Sequence, residues 1–314
     1  MVRVVYFGTP QFAVPTLERL VDSAHHVCGV ITQPDRPRGR GQRVQFGAVK
    51  TFALERRLPL AQPERLPVPE VAETLREWAP DVGVVAAYGK LIPETLLALP
   101  RLGMINVHAS LLPMYRGAAP IQRAIVDGHT ETGVTIMRVV AALDAGPMLA
   151  SVRRPIDPDE TGSDLERDLA QLGASLLVDV MDRLAAGPVD EEPQDERFVT
   201  YARRLTKQDG AIDWNAPAQA IHNQVRGLYP WPHAYASFNG ERVIILRTAL
   251  GSVPGVALPG TVLDADGDGI RVATSDGQIV IRELQLEGRR PMSARDFLAG
   301  RPLKAGMVFG NGAT

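Results

Sequence analysis

The chain has 314 residues, 22% of them charged and 45% hydrophobic, with a formal net charge of −2. This length holds two domains, or one large domain with an appendage, and the composition is ordinary for a soluble globular protein. No stretch reaches the roughly 18 apolar residues of a membrane span. A slightly acidic chain is also not a bulk nucleic-acid binder, so any RNA contact must rest on local basic patches.

The opening residues 1–8 run straight into a strand pattern, too short an apolar stretch for a secretory signal. Cys28, the one cysteine, lies in apolar sequence and has no partner for an internal disulfide, which fits a reducing cytoplasm. A monomer is expected.

Through the first half, strands alternate with helices. Residues 2–7, 27–32, 82–87 and 104–108 are apolar runs of strand length. Residues 12–21, 46–57 and 70–78 have helical spacing, with Phe12, Leu17 and Leu20 on one face of the first. This alternation predicts an α/β domain with a doubly wound, mostly parallel sheet, whose ligands sit at the carboxyl ends of the strands. The nucleotide-binding version is not expected. The turn after the first strand, Gly8-Thr-Pro-Gln-Phe-Ala13, lacks the Gly-x-Gly-x-x-Gly spacing, and there is no phosphate-cradling Gly-Lys-Ser/Thr loop.

Two more strands are predicted over 132–140 and 148–156. Ser163-Asp-Leu-Glu166 is a capping-box pattern that opens a long amphipathic helix to about residue 184. Residues 185–196 are acidic, rich in turn formers and poor in apolar side chains, and read as an interdomain linker. The expected limits are therefore a first domain over 1–187, a linker over 188–206 and a second domain over 207–314.

Beyond a predicted helix at 216–227, short strands at 234–238, 242–249, 260–263, 270–274 and 278–286 are separated by turns at Asn239-Gly240, 266–269 and Asp276-Gly277. Such a pattern predicts a small antiparallel β-barrel, OB-like in type. Asp264-Ala-Asp266-Gly-Asp268-Gly269 imitates the start of a calcium loop. Its twelfth position is Ser275 rather than Glu, however, so a polar hairpin turn is the reading. One cysteine and six scattered histidines offer no zinc-ligand spacing, and no metal is expected.

Residues 106–120 carry the most information. The fourth strand ends in Asn106, His108 and Ser110 at alternate positions, which share one face if the strand runs on. Polar groups at the end of a buried strand usually face a cleft, and Pro113 and Gly117 lay a loop around it. A neutral amide, an imidazole and a hydroxyl in one pocket suit acyl-group chemistry: the amide donates to a carbonyl oxygen, and the imidazole moves or orients a proton.

This run resembles the signature of the folate-dependent formyltransferases, Asn-x-His-x-Ser-Leu-Leu-Pro followed by Arg-Gly-x-x-Pro. Downstream, Leu143-Asp144-Ala145-Gly146 is similar to that family's Asp-containing loop. Thr32-Gln33-Pro34-Asp35-Arg36-Pro37 and the last third of the chain resemble the branch that acts on methionyl-tRNA.

The resemblance implies a formyl group passing from 10-formyltetrahydrofolate, as cosubstrate, to the α-amino group of initiator methionyl-tRNA. It implies Asn106 as oxyanion donor and His108 as proton carrier or electrophile, with Asp144 steadying the imidazole or an ordered water. Ser110, Leu111, Leu112 and Pro113 form a folate wall, and Ala86, Ala87, Tyr88 and Gly89 offer backbone to the pterin. The long polar loop with Arg36, Arg38, Arg40 and Arg43 corresponds to the family's insertion that enters the acceptor arm of the tRNA. The second domain is only weakly basic, with 11 Lys and Arg against 10 Asp and Glu from Lys207 onward. Arg289, Arg290 and Lys304 are its candidate phosphate contacts.

Three other readings compete: a formyltransferase for a nucleotide precursor or sugar amine, a Ser110–His108–Asp144 hydrolase, and a noncatalytic RNA-binding protein. The hydrolase lacks a Gly-x-Ser-x-Gly elbow, and a pure RNA binder has no use for the Asn106, His108 and Asp144 set.

Overall fold

Apolar strand-length runs in the first half build one sheet. In the computed structural model, which describes residues 1–38, 43–251 and 257–312, the elements are, in order, β1 (Arg3–Gly8), α1 (Val14–Val21), β2 (His26–Ile31), β3 (Arg36–Arg38), β4 (Arg43–Gln45), α2 (Ala48–Glu55), β5 (Leu60–Ala61), α3 (Pro69–Trp78), β6 (Val82–Ala86), α4 (Glu94–Leu97), β7 (Met104–His108), β8 (Arg116–Gly117), α5 (Pro120–Val126), β9 (Glu131–Arg138), β10 (Met148–Pro155), α6 (Gly162–Ala186) and β11 (Tyr201–Ala202). There follow α7 (Ala218–Gly227), β12 (Ala234–Phe238), β13 (Glu241–Leu250), β14 (Val262–Asp266), β15 (Gly269–Ala273), β16 (Gln278–Leu286), β17 (Met292–Ser293) and α8 (Ala294–Gly300). The chain falls into two units. The first holds residues 1–120, 132–154 and 166–202, and the second 121–131, 155–165 and 203–314.

In the first unit a seven-stranded sheet runs β10-β9-β7-β6-β1-β2-β5. The pairs β1–β2, β1–β6, β6–β7 and β2–β5 are parallel, and β7–β9 is antiparallel. Five of the six residues of β1 and of β2 are buried, as expected where both faces of a parallel sheet are covered. The chain moves outward from β1 to β2 and β5, then returns to the other side of β1 with β6. The loops after β1 and β6 therefore part at a topological switch point.

Helix α6 buries Leu165, Leu169, Leu177, Val180 and Leu184 along one stripe. Gly173 lets it lie close to β7, since a Cβ there would come within 2.8 Å of Val107 Cγ1.

The basic loop is not structureless: β3 and β4 pair antiparallel, with Arg38 opposite Arg43. The base of this ribbon is tied by a Lys50–Asp35 ion pair and by Gln62 Nε2, which donates to Gln33 O at 2.9 Å. The Lys50 hydrogen bond holds the Asp35 carboxyl below the usual range.

The segment read as a linker is ordered along the first unit. Met148 and Glu192 exchange backbone hydrogen bonds, and β11 pairs in parallel with β8.

In the second unit β12, β13, β16, β15 and β14 form an antiparallel sheet, with β17 on β16. Residues 307–310 join its two edges. Val262 N donates to Met307 O, Phe309 N to Gly260 O, and Ser237 and Gly310 exchange backbone bonds. Both edge strands are thus covered and the sheet closes into a barrel, which removes edges open to aggregation. Trp214, Phe238 and Phe309 fill its interior, with Phe309 4.8 Å from the Phe238 ring and 5.8 Å from Trp214. The Asp264–Gly269 stretch is the β14–β15 hairpin, where Asp266 accepts from Asp268 N and Arg271. No helix among the described residues is long and apolar enough to cross a membrane.

Asp209 organises the start of the second unit. Its carboxylate accepts from Arg123 Nη2 at 2.7 Å, Arg203 Nη2 at 2.8 Å and both the N–H and hydroxyl of Thr206. Burial by itself raises this carboxyl, but the bonds from Arg123 and Thr206 more than reverse that and bring it down to about 2. A folded value below the unfolded one means the stabilisation is complete above pH ~4 and is lost as pH falls toward ~2. Asp209→Asn should therefore cost about 2 kcal/mol near neutrality. The gap between mutant and wild-type unfolding midpoints should close steadily on acidification below pH ~4. A gap independent of pH in that window would refute the account.

Candidate active site

The sheet topology brings three loops side by side, after β1, β6 and β7. Asn106 sits in β7 with its backbone in register with Val85 on one side and Met137 on the other. Its side chain is half-buried. Among the described residues no group bonds its amide, which leaves both N–H donors free for a ligand at the strand end.

His108 closes the same strand and is 5% exposed. Its Nε2 lies 2.9 Å from Tyr115 O. A carbonyl only accepts, so Nε2 carries the hydrogen and Nδ1 of the neutral ring holds the lone pair. Nδ1 faces Asp144 Oδ2 at 3.7 Å, beyond hydrogen-bond range. The geometry therefore suits proton acceptance at Nδ1.

Asp144 is in the left-handed region, φ +47°, a conformation that a non-glycine residue keeps only when its surroundings impose it. Its Oδ2 accepts the Gly117 N–H at 2.9 Å, and its own carbonyl accepts from Gln194 Nε2 at 2.8 Å. Gly117 has φ +117°, and a Cβ there would sit 2.8 Å from Ala202 O, so only glycine fits.

Ser110 does not join this group. Its hydroxyl donates to Met114 O at 2.6 Å, and its carbonyl accepts from Thr135 Oγ1 at 2.8 Å. The strand ends at His108, so the alternation that puts Asn106, His108 and Ser110 on one face stops there and Ser110 turns inward to shape the loop. Thr135 Oγ1 also accepts the Leu112 N–H. Leu112 is buried, while Leu111 and Pro113 are half-buried beside it.

After β6, Ala86 is buried, and Ala87 and Gly89 are exposed with φ +45° and +81°. Tyr88 turns inward. Its ring meets Phe7 edge-on, and its carbonyl accepts from Gln33 Nε2 at 2.7 Å and from Thr9 Oγ1. Thr9 and Gln33 thus fix the Ala86–Gly89 turn, a role invisible in their flanking sequence.

Arg36 is exposed at the ribbon base. Arg38 and Arg43 are backbone partners in the β3–β4 register, and Arg40 lies outside the described residues.

Sequence reasoning missed Gln194, which sits in an acidic, exposed run and carries no local signal. Arg116 was visible only as part of the Arg-Gly pair in the signature. It is buried, with its guanidinium held by Gln194 and Glu196.

Residues 2–181 match the formyl transferase family and residues 204–302 match that family's C-terminal domain. A methionyl-tRNA formyltransferase of Geotalea uraniireducens is 47% identical over 98% of each chain. The chain belongs to the methionyl-tRNA formyltransferase family. It is accordingly an enzyme of the one-carbon formyl-transfer class, built on the family's Rossmann-like domain and a second, antiparallel domain.

The fold recurs in an N-formyltransferase of Helicobacter canadensis solved with folinic acid and dTDP-3-aminofucose. Its TM-score is 0.66 at 17% identity, covering 90% of this chain and 99% of that one. It recurs also in HypX of Aquifex aeolicus solved with tetrahydrofolic acid. There the TM-score is 0.64 at 16% identity, covering 97% of this chain but 48% of that one.

Within a formyltransferase, the internal bonds of Ser110 leave it no nucleophilic role. A fluorophosphonate that labels activated serines should leave Ser110 unmodified by peptide mass spectrometry. Labelling at Ser110 would revive the hydrolase reading.

Proposed function

We propose that this chain transfers the formyl group of 10-formyltetrahydrofolate to the α-amino group of methionine on initiator methionyl-tRNA, for translation initiation in the cytoplasm. One observation carries the chemistry: an unbonded Asn106 amide beside a His108 whose Nδ1 is free to accept a proton and faces the Asp144 carboxylate. The substrate rests on relatives of that name matching along 98% of the chain, second domain included.

As the amine nitrogen attacks the formyl carbon, negative charge builds on the formyl oxygen. The Asn106 amide donates to it, and a neutral donor does so without the desolvation cost of a buried charge. His108 Nδ1 takes the proton released by the attacking nitrogen, and Asp144 stabilises the charge that appears on the ring. The proton then returns to the departing folate nitrogen as its bond to carbon breaks.

The folate fits these residues. Leu111 and Pro113 are part-exposed apolar side chains for flat rings, and Ala87 and Gly89 turn outward with positive φ. The domain limits 1–187, 188–206 and 207–314 belong to the same proposal, with the second domain on the tRNA. A monomer working without metal completes the reading.

The decisive assay is transfer of labelled formyl from 10-formyltetrahydrofolate to charged initiator tRNA, with elongator tRNA, a glycinamide nucleotide and an amino sugar as competing acceptors. Asn106→Ala, His108→Ala and Asp144→Ala should each lower kcat about 10²-fold or more with folate affinity little changed, because each acts on the transition state. Near-normal turnover in any one removes that residue from the mechanism. Preference for a small amine overturns the substrate.

The arginine-rich β3–β4 segment supports tRNA as the acceptor, since arginines suit phosphates and unpaired bases. Replacing Arg36, Arg38, Arg40 and Arg43 with Ala should weaken tRNA binding and flatten its dependence on salt, with folate binding and melting temperature intact. Unaltered tRNA affinity and salt slope would move recognition elsewhere on the chain.

A further inference from the structure

Gln194 is a buried amide in a mostly exposed acidic stretch, Asp190–Glu196. A polar side chain is buried at a cost unless its hydrogen bonds are met, and here they are met by the Asp144 turn and by Arg116. Nε2 donates to Asp144 O and Gly146 O, both at 2.8 Å, using both amide hydrogens. Oε1 accepts from Arg116 Nε at 2.9 Å. Arg116 is itself buried, and its Nη2 is 2.8 Å from Glu196 Oε1.

The two carbonyls that Gln194 grips flank Ala145 in the turn that carries Asp144. Asp144 is in a left-handed conformation, and Gly146 packs so tightly that a Cβ would meet Arg138 O at 1.9 Å. The next residue after Arg116, Gly117, donates its N–H to the Asp144 carboxylate. The same segment pairs with the neighbouring backbone at Glu192–Met148 and at Thr200 O, which accepts from Arg116 N.

We infer that Gln194 is a positioning residue for the reaction: it clamps the Asp144 turn from outside and, through Arg116, ties it to the Gly117 N–H that orients the carboxylate. This rests on the role proposed above for Asp144. Only a primary amide serves here. A carboxylate accepts from Arg116 but repels the two carbonyls, and an alkyl side chain bonds neither.

The test compares Gln194→Glu, Gln194→Ala and the double variant Gln194→Ala/Asp144→Ala with wild type in the full chain. Formyl transfer is followed together with backbone hydrogen exchange over residues 139–147. Gln194→Glu and Gln194→Ala should each lower kcat about tenfold or more, with KM for the folate within about twofold. Exchange should accelerate in the 139–147 turn and not in the barrel strands. In the Asp144→Ala background the Gln194 substitution should cost nothing further, because the group it positions is gone. A purely structural role predicts instead a lowered melting temperature with independent, multiplicative losses.

Unchanged exchange over 139–147 overturns the inference, as does a Gln194 penalty that persists in full without Asp144. Near-normal kcat in Asp144→Ala alone instead overturns the catalytic role of Asp144, and the turn's exchange then judges the clamp by itself.

Discussion

Parallel pairing of β1 with both β2 and β6 sends the chain in opposite directions from the carboxyl edge of the sheet. A parallel sheet has to be left by loops and helices that climb over its faces, so where two such departures diverge the edge stays open. The turn at Gly8–Thr9, the turn at Ala86–Gly89 and the end of β7 all border that opening. Gly8 matters for the same reason: a Cβ there would collide with Tyr6 and Ala13 and press on Ala86 O.

Around this opening several buried polar side chains are held by internal hydrogen bonds, although Tyr88 Oη and Thr32 Oγ1 are not. His108, Ser110, Thr135 and Arg116 each have a partner within the first unit. A buried guanidinium left alone would cost several kcal/mol, which explains why Arg116 is met on one edge by Gln194 and on another by Glu196. The left-handed backbone at Asp144 costs roughly 1–3 kcal/mol. The charge-assisted bond from the Gly117 N–H contributes about 1.5–3 kcal/mol, and the two bonds from Gln194 add to it, so the strained turn is held. The half-buried Asn106 amide, unbonded among the described residues, is the donor that the proposed mechanism uses.

The second unit is organised by a different constraint, the open edges of an antiparallel sheet. Residues 307–310 bond β14 and the Ser237 backbone of β12, so the barrel is closed by the last stretch of the chain. Arg226 and Asp209 anchor the neighbouring segments. Arg226 donates to Asp157 O and Glu160 O, while Asp209 gathers Arg123, Arg203 and Thr206. Both are charges retained in partly buried positions because their bonds are complete.

Local sequence determined most of the elements and pointed to the proposed chemistry. Apolar runs of strand length gave β7 and β16 to the residue, and period-2 and 3.6-residue spacing separated sheet from helix. The 106–117 run and the Asp144 loop point to the proposed site because their residue types are written in contiguous sequence. Short elements such as β8 and β11 escaped, since two-residue strands exist only by virtue of the partner they pair with.

Tertiary structure alone decided three things. It turned Ser110 away from the pocket by giving its hydroxyl to Met114 O. It chose Nδ1 as the free nitrogen of His108 by placing Tyr115 O at Nε2. It recruited Gln194 from an acidic stretch that reads as a linker, because a side chain's partners 50 residues away leave no periodicity for a sequence to display.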